Sequence, residues 1–224
     1  MCNLYRMTKN ASEVAAWFAA VDAAQGANFA GEVYPGYPGL VVAEGAVRAM
    51  AWGFPLVLTG KQGQKLKPKP VNNARTDKLA TFFWRHSFEE RRCLIPLTAW
   101  AEAEGAKGQM TRTWLTLPDT PMFAAAGVWR QSEEWGACYS MVMTDSDGSD
   151  AAAVHTRMPV LLAPGDQTAW TGGTPDEALA LCRAWTGPLA IDRTPDPWVR
   201  GAAGQPTSSE PPPSQPPPSQ PKLF

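Results

Sequence analysis

Thr111-Arg-Thr-Trp-Leu-Thr-Leu117, Met122-Phe-Ala-Ala-Ala-Gly-Val-Trp129 and Cys138-Tyr-Ser-Met-Val-Met-Thr144 are the three stretches that decide the fold. Each carries good β-formers, is free of proline and is short enough to be a strand. Working outward, Arg92-Cys-Leu-Ile-Pro96 reads as a short buried strand that Ala99-Trp-Ala-Glu-Ala103 continues. Leu40–Ala43 and Ala46–Trp52 read as a hairpin about Glu44-Gly45, closed by Trp52-Gly-Phe-Pro55. Val154–Leu162 enters another buried strand, Ala190–Arg193 supplies a last one, and Leu4–Met7 supplies a first. Two helix starts punctuate this pattern. Asn10-Ala-Ser-Glu13 is a capping box, and Val14, Trp17, Phe18 and Val21 follow at the spacing of one apolar helical face, predicted to pack in the core and to end before Gly26. Thr174-Pro-Asp-Glu177 places an N-cap, a first-turn proline and a capping glutamate before a helix to about Cys182. The expected fold is α+β: a β-rich single domain over residues 1–200, with mixed and antiparallel strands in a barrel-like core and flanking helices.

Composition narrows the function classes. The chain has 224 residues, 44% of them hydrophobic, which suffices for one sizeable core. No apolar run approaches the ~20 residues of a membrane span, and Met1–Lys9 lacks the apolar centre of a signal peptide. A cytoplasmic, membrane-free monomer is expected. Cys2, Cys93, Cys138 and Cys182 have no C-x-x-C spacing and only His86 and His155 beside them. Neither a metal nor an organic cofactor is expected, and the thiols should be free. Net charge is −1, but Lys61–Arg92 holds nine basic residues against three acidic ones, a local +6. One basic region on a neutral body fits a phosphate-binding groove; a solvated lysine-rich loop is the plainer reading of Lys61–Lys69.

The chain starts Met1-Cys2-Asn3. Methionine removal before a small second residue would leave Cys2 with a free amine and a thiol on adjacent carbons. The α-amine, with a pKa near ~8, is partly neutral at neutral pH and can condense with an aldehyde. The thiol can then close a five-membered thiazolidine. A cationic or histidine-lined setting would raise the thiolate fraction. The alternative is a small buried residue at the start of a strand. Val71-Asn-Asn-Ala-Arg-Thr-Asp-Lys78 is dense in polar residues and precedes an aromatic, helix-like run, Leu79–Trp84, which suggests a functional loop. Arg75 offers a forked donor suited to phosphate, or a surface ion pair to Asp77. His155 can donate and accept protons near neutrality or can be a structural, hydrogen-bonded residue. Trp52, Trp84 and Phe82 have faces on which bases can stack, or they pack in the core.

Met1-Cys2-Asn3, Asn73-Ala-Arg-Thr-Asp77, Arg92-Cys-Leu-Ile-Pro96 and His155-Thr-Arg-Met-Pro-Val160 together resemble the SOS-response-associated peptidase family, from Cys2 to about residue 195. Members of that family crosslink themselves to abasic sites in single-stranded DNA. The resemblance implies that Cys2, exposed once Met1 leaves, is the crosslinking nucleophile and that Asn73 orients its amine or the crosslink. It implies that Glu102 is the acid–base group that opens the abasic sugar and that His155 stabilises the opened sugar or relays a proton. Arg75, Arg157 and Lys78 would hold DNA phosphates, with Trp52 as a further DNA contact. Trp100-Ala-Glu-Ala-Glu104 departs from the family's aromatic-Glu-Trp setting and leaves Glu102 and Glu104 both open. Thr76-Asp77 stands for the usual Ser-Glu, and Trp52-Gly-Phe-Pro shortens the usual loop. The alternatives are a thiol peptidase acting on other proteins through an N-terminal nucleophile, and a non-covalent single-stranded DNA binding module.

Residues 201–224 change character. Pro-Pro-Pro-Ser-Gln occurs at 211–215 and again at 216–220, a composition expected to be extended and disordered. It ends Gln220-Pro-Lys-Leu-Phe224, in which Gln220, Leu223 and Phe224 resemble the short peptides that dock on bacterial sliding clamps.

Overall fold

The computed structural model describes residues 2–24 and 31–198. The first strands are β1 (Tyr5–Arg6), β2 (Val21–Asp22), β3 (Glu32–Val33), β4 (Pro38–Ala43), β5 (Ala46–Trp52), β6 (Phe54–Leu56), β7 (Lys69–Val71) and β8 (Asn73–Arg75). The remainder are β9 (Arg92–Leu97), β10 (Ala99–Glu104), β11 (Thr111–Thr116), β12 (Phe123–Ser132), β13 (Gly136–Asp145), β14 (Arg157–Pro159), β15 (Leu161–Leu162) and β16 (Ala190–Pro197). Four short helices join them: α1 (Ala11–Trp17), α2 (Arg85–Glu90), α3 (Gln167–Gly172) and α4 (Pro175–Ala180).

Five strands close on themselves in the order β13-β12-β9-β4-β5, with β5 returning to β13. A ring can close only if its antiparallel pairs are even in number, so a five-stranded ring needs a parallel pair. Here it is β5 with β13, through Ala51 opposite Cys138 and Trp52 opposite Tyr139. The β4–β5 hairpin forms as its sequence predicts. Glu44 and Gly45 both take positive φ, 52° and 72°, as a two-residue turn matched to strand twist requires. A second, antiparallel sheet, β16-β11-β10-β1-β3, carries the chain's start.

Both capping boxes are present, Asn10 with Glu13 and Thr174 with Glu177; each cap contributes about 1 kcal/mol. The buried guanidinium of Arg92 donates to the carbonyls of Phe88, Glu89, Trp170 and Gly173. It thereby satisfies carbonyls at the ends of α2 and α3.

Several expectations are corrected. Helix α1 stops at Trp17 and Ala19 turns to φ 49°. The i+7 position therefore leaves the helical face: Val21 enters β2 and is 69% exposed, and Trp17 is 51% exposed. Leu79–Trp84 is a run of turns, and the helix begins only at Arg85. Ala99–Glu104 does not extend β9. The chain breaks at Thr98 and crosses to the other sheet, where Thr98 N donates to Arg6 O. The strand around Val160 is divided into β14 and β15, because Val160 bonds to Val142 and Ala126 on two different strands. The tail motif with Gln220, Leu223 and Phe224 lies outside the described residues, as does Gly26. No helix among the described residues is long and apolar enough to cross a membrane.

In the hydrophobic core, the Tyr5 and Tyr139 hydroxyls share a hydrogen bond of 2.5 Å. A Cβ on Gly39 would lie 2.2 Å from both oxygens. Gly39→Ala is expected to cost about 1–3 kcal/mol by overpacking, read as a lowered midpoint of urea unfolding with the slope unchanged.

Candidate functional site

Strand β13 is longer than any one neighbour on its open edge. It pairs with β5 through Tyr139 and then, from Met141, with β8: Asn73 opposite Met141, Arg75 opposite Met143. Asn72 falls at this change of partner. Its carbonyl accepts from Met141 N at 2.9 Å and from the Trp52 indole Nε1 at 3.1 Å. Its side chain turns toward the start of the chain. Asn72 Nδ2 donates to Cys2 O and to Asn3 Oδ1, both at 3.0 Å, and Asn73 Nδ2 donates to Cys2 O at 2.8 Å. Asn73 Oδ1 is buried and accepts no hydrogen bond among the described residues.

On the other side, β1 lies against β10, with Tyr5 opposite Trp100, and Ala101 N donates to Leu4 O. This register brings Cys2 beside Glu102, whose charge acts on the thiol. Glu102 is 2% exposed, and burial raises its carboxyl pKa to about 7. Glu104 is engaged elsewhere. It accepts from Thr113 Oγ1 at 2.5 Å and from Arg193 at 3.0 and 3.3 Å. Of the two glutamates left open by the sequence, Glu102 is the one within reach of Cys2.

Cys2 itself is fully buried, and its thiol donates to Leu4 O at 3.4 Å. Burial, reinforced by Glu102, raises its pKa far above that of a free thiol. A cationic setting that would favour the thiolate is therefore not what the fold provides here. Cys2 is held in the protein, not displayed on it.

Arg75, Lys78 and Arg157 gather around Asp77. Arg75 donates to Asp77 through Nε and Nη2 at 2.8 and 2.7 Å, and Lys78 Nζ lies 3.9 Å away. Desolvation works against ionisation of the exposed Asp77, but Arg75, Lys78 and Arg157 outweigh it and hold its pKa below the usual range. The ion pair anticipated as an alternative role for Arg75 therefore exists, alongside an excess of positive charge. Arg157 also lies 3.5 Å from Asp145. His155 is part-buried on the same segment. Its Nδ1 accepts from Arg157 N at 3.0 Å, and Ser146 Oγ donates to its carbonyl at 2.6 Å. Nδ1 also lies 3.2 Å from Arg157 O, so either neutral tautomer has a backbone partner, and burial lowers the imidazole pKa, which favours the neutral ring near pH 7.

Trp52 cannot stack on DNA. It is fully buried, packs edge-on against Tyr5 at 5.0 Å and pins Asn72. Trp84 is buried in the same way, against Phe54 and Phe83. Phe82 is the reverse, 95% exposed in the turn after Lys78. The residue that sequence reasoning missed is Asn72. Its only local signal is the Asn-Asn tandem at the head of the polar loop.

The raised pKa of Glu102 has a consequence for stability. Between about 4.5 and about 7 the folded protein keeps a proton that the unfolded chain has lost. This contribution is complete below the unfolded value and is lost as pH rises through the folded one. Glu102→Gln abolishes it. Urea unfolding at about pH 5 and about pH 8 should show the parent losing more stability than the variant, by at most about 3 kcal/mol.

The SOS response associated peptidase (SRAP) family model matches residues 1–192. No curated protein matches the chain. Among solved structures, a Bacteroides thetaiotaomicron protein is similar with a TM-score of 0.70 at 17% identity, over 86% of this chain and 91% of that one. A Bordetella bronchiseptica protein has a TM-score of 0.68 at 20% identity, over 86% and 99%. A phage-related protein from the same organism has a TM-score of 0.62 at 16% identity, over 86% and 94%. At such identities these likenesses concern the fold alone. With the family model matched over nearly all the described residues, the chain belongs to the SOS response associated peptidase family.

Proposed function

We propose that this protein captures abasic sites in single-stranded DNA by a covalent bond to Cys2 and so shields the lesion. The observation that carries the reading is the anchoring of Cys2 by Asn73 beside a glutamate poised near neutrality. Loss of Met1 is the one peptide cleavage the chemistry requires, and it fits the family's description as a peptidase. Glu102, partly protonated near pH 7, has the proton needed to open the sugar to its aldehyde and the base needed afterwards. In its Nε2–H tautomer, the neutral His155 offers a proton to the opened sugar oxygen.

The Cys2 amine adds to the aldehyde carbon, and one water leaves as the imine forms. The S–H then adds across C=N: sulfur bonds to carbon, the proton goes to nitrogen, and a thiazolidine results without any oxidant. Because the thiol is held neutral by burial, the amine acts first and sulfur closes the ring second. Asn73 Oδ1, a buried acceptor, suits the N–H of that amine. Arg75, Lys78 and Arg157 are the phosphate contacts. Arg75 retains donors on the edge that Asp77 does not occupy.

On a denaturing gel, the parent should give a shifted band with an abasic single-stranded oligonucleotide, and Cys2→Ala should give none. Arg75→Ala should retain the band but need several-fold more protein, with a salt dependence lower by about one ion. A retained Met1 in protein from cells, or an adduct that survives Cys2→Ala, sinks the reading. The tail carries a separate proposal: Gln220, Leu223 and Phe224 tether the protein to the sliding clamp, which raises its concentration at replication gaps. The terminal peptide should bind a clamp in calorimetry, and the absence of heat would remove the tether.

A further inference from the structure

The carbonyl oxygen of Cys2 receives two side-chain amides, one from Asn72 and one from Asn73. Only Asn73 has a part in the proposed chemistry so far. Asn72 is the more firmly held of the two. Its backbone carbonyl is pinned by Met141 N and by the Trp52 indole, and its amide also bridges to Asn3 Oδ1. A residue held at three points, two on its backbone carbonyl and one on its side chain, is built to hold something else still.

We propose that Asn72 is a positioning residue for Cys2, and that the paired amides of Asn72 and Asn73 polarise the Cys2 carbonyl so that the adjacent α-amine is less basic and more of it is neutral at neutral pH. The inference rests on the reading that Cys2 acts as the first residue. Fixing the carbonyl oxygen fixes Cα, and with it the directions of both the amine and the thiol-bearing Cβ. The electronic effect has a known origin. An α-amine is about 2.5 units less basic than a lysine amine because a carbonyl stands beside it. Two N–H donors on that carbonyl place more positive partial charge near the nitrogen and disfavour the ammonium form.

The other charged and titratable groups around Cys2 act in both directions. Glu102 on β10 favours the ammonium, but only in its ionised fraction. The Cys2 thiol and the Tyr5 and Tyr139 hydroxyls are kept neutral by burial. His155 is neutral, and Arg75 and Arg157, on β8 and β14, add positive charge that acts in the same direction as the amides. Neutral amine is the form that attacks an aldehyde, so the clamp sets the rate of the first bond.

The test uses full-length protein released from a cleavable fusion that leaves Cys2 first, with ¹⁵N in cysteine. The amine is titrated by NMR, and its condensation with propanal is followed across pH. Asn72→Ala should raise the amine pKa by about half to one unit, which slows the reaction about threefold to tenfold at neutral pH. The deficit should close above the amine pKa. Asn72→Ser, which is closer in polarity but too short to reach the carbonyl, should do the same and guards against a misfolded alanine variant. An unshifted amine pKa in a variant with parental melting temperature overturns the inference. So does a rate loss that is equal at every pH. Propanal needs no DNA site, so failure here leaves the abasic-site reading standing, and failure of the DNA adduct leaves the amine titration standing.

Discussion

A closed ring of five strands must contain a parallel pair, and this molecule is arranged around the place where that pair lies. Antiparallel neighbours make up the rest of the barrel, and two of those pairs, β4–β5 and β12–β13, are short hairpins. The parallel contact between β5 and β13 cannot be made by a hairpin. The chain leaves β5 at Trp52 and returns at Asn73 to continue along the same edge of β13. Asn72 and Asn73 therefore stand at a fixed point on the barrel wall, with their backbone already satisfied and their side chains free to reach across to another sheet. What they reach is the carbonyl of Cys2.

The second sheet supplies the other half. Strand β1 is only two residues long, yet it pairs with both β10 and β3. That pairing seats the start of the chain against the barrel. It also puts Glu102 where water is excluded, and burial makes its ionised form costly. The same exclusion suppresses the thiolate of Cys2. A site built this way favours proton transfers among neutral or near-neutral groups over attack by a pre-formed anion. Positive charge is kept apart from that centre, on β8, the turn after it and β14, where Arg75, Lys78 and Arg157 stand around Asp77. In the proposed chemistry this separation is useful: phosphates bind at the cationic rim while the aldehyde enters the uncharged interior.

Aromatic residues show how far local reading goes. Trp17, Phe82 and Trp52 are equally hydrophobic in the sequence, yet the first two face solvent and the third is sealed in the barrel. Trp17 is the last residue of α1, and no further helical turn follows to carry its face into the core. For Trp52 the indole N–H finds a buried carbonyl, which allows a polar group to be taken out of water at little cost. Nothing within a few residues of either position encodes the difference.

By itself the sequence determined what depends on neighbours along the chain. It specified the capping boxes at Asn10 and Thr174, the hairpin about Glu44-Gly45, the β-rich class, and a Cys2 whose amine and thiol would be adjacent in a matured chain. Those features follow from short-range sterics and hydrogen bonding, so they are legible in a few residues. Tertiary structure alone decided which glutamate lies beside Cys2, that the thiol is buried, and that Trp52 supports Asn72 instead of meeting a ligand. It also decided that two asparagines share one carbonyl. These are set by strand register, between residues from twenty to about a hundred positions apart. Register is fixed by the sum of many weak pairings over the whole barrel, and no single stretch of the chain contains that sum.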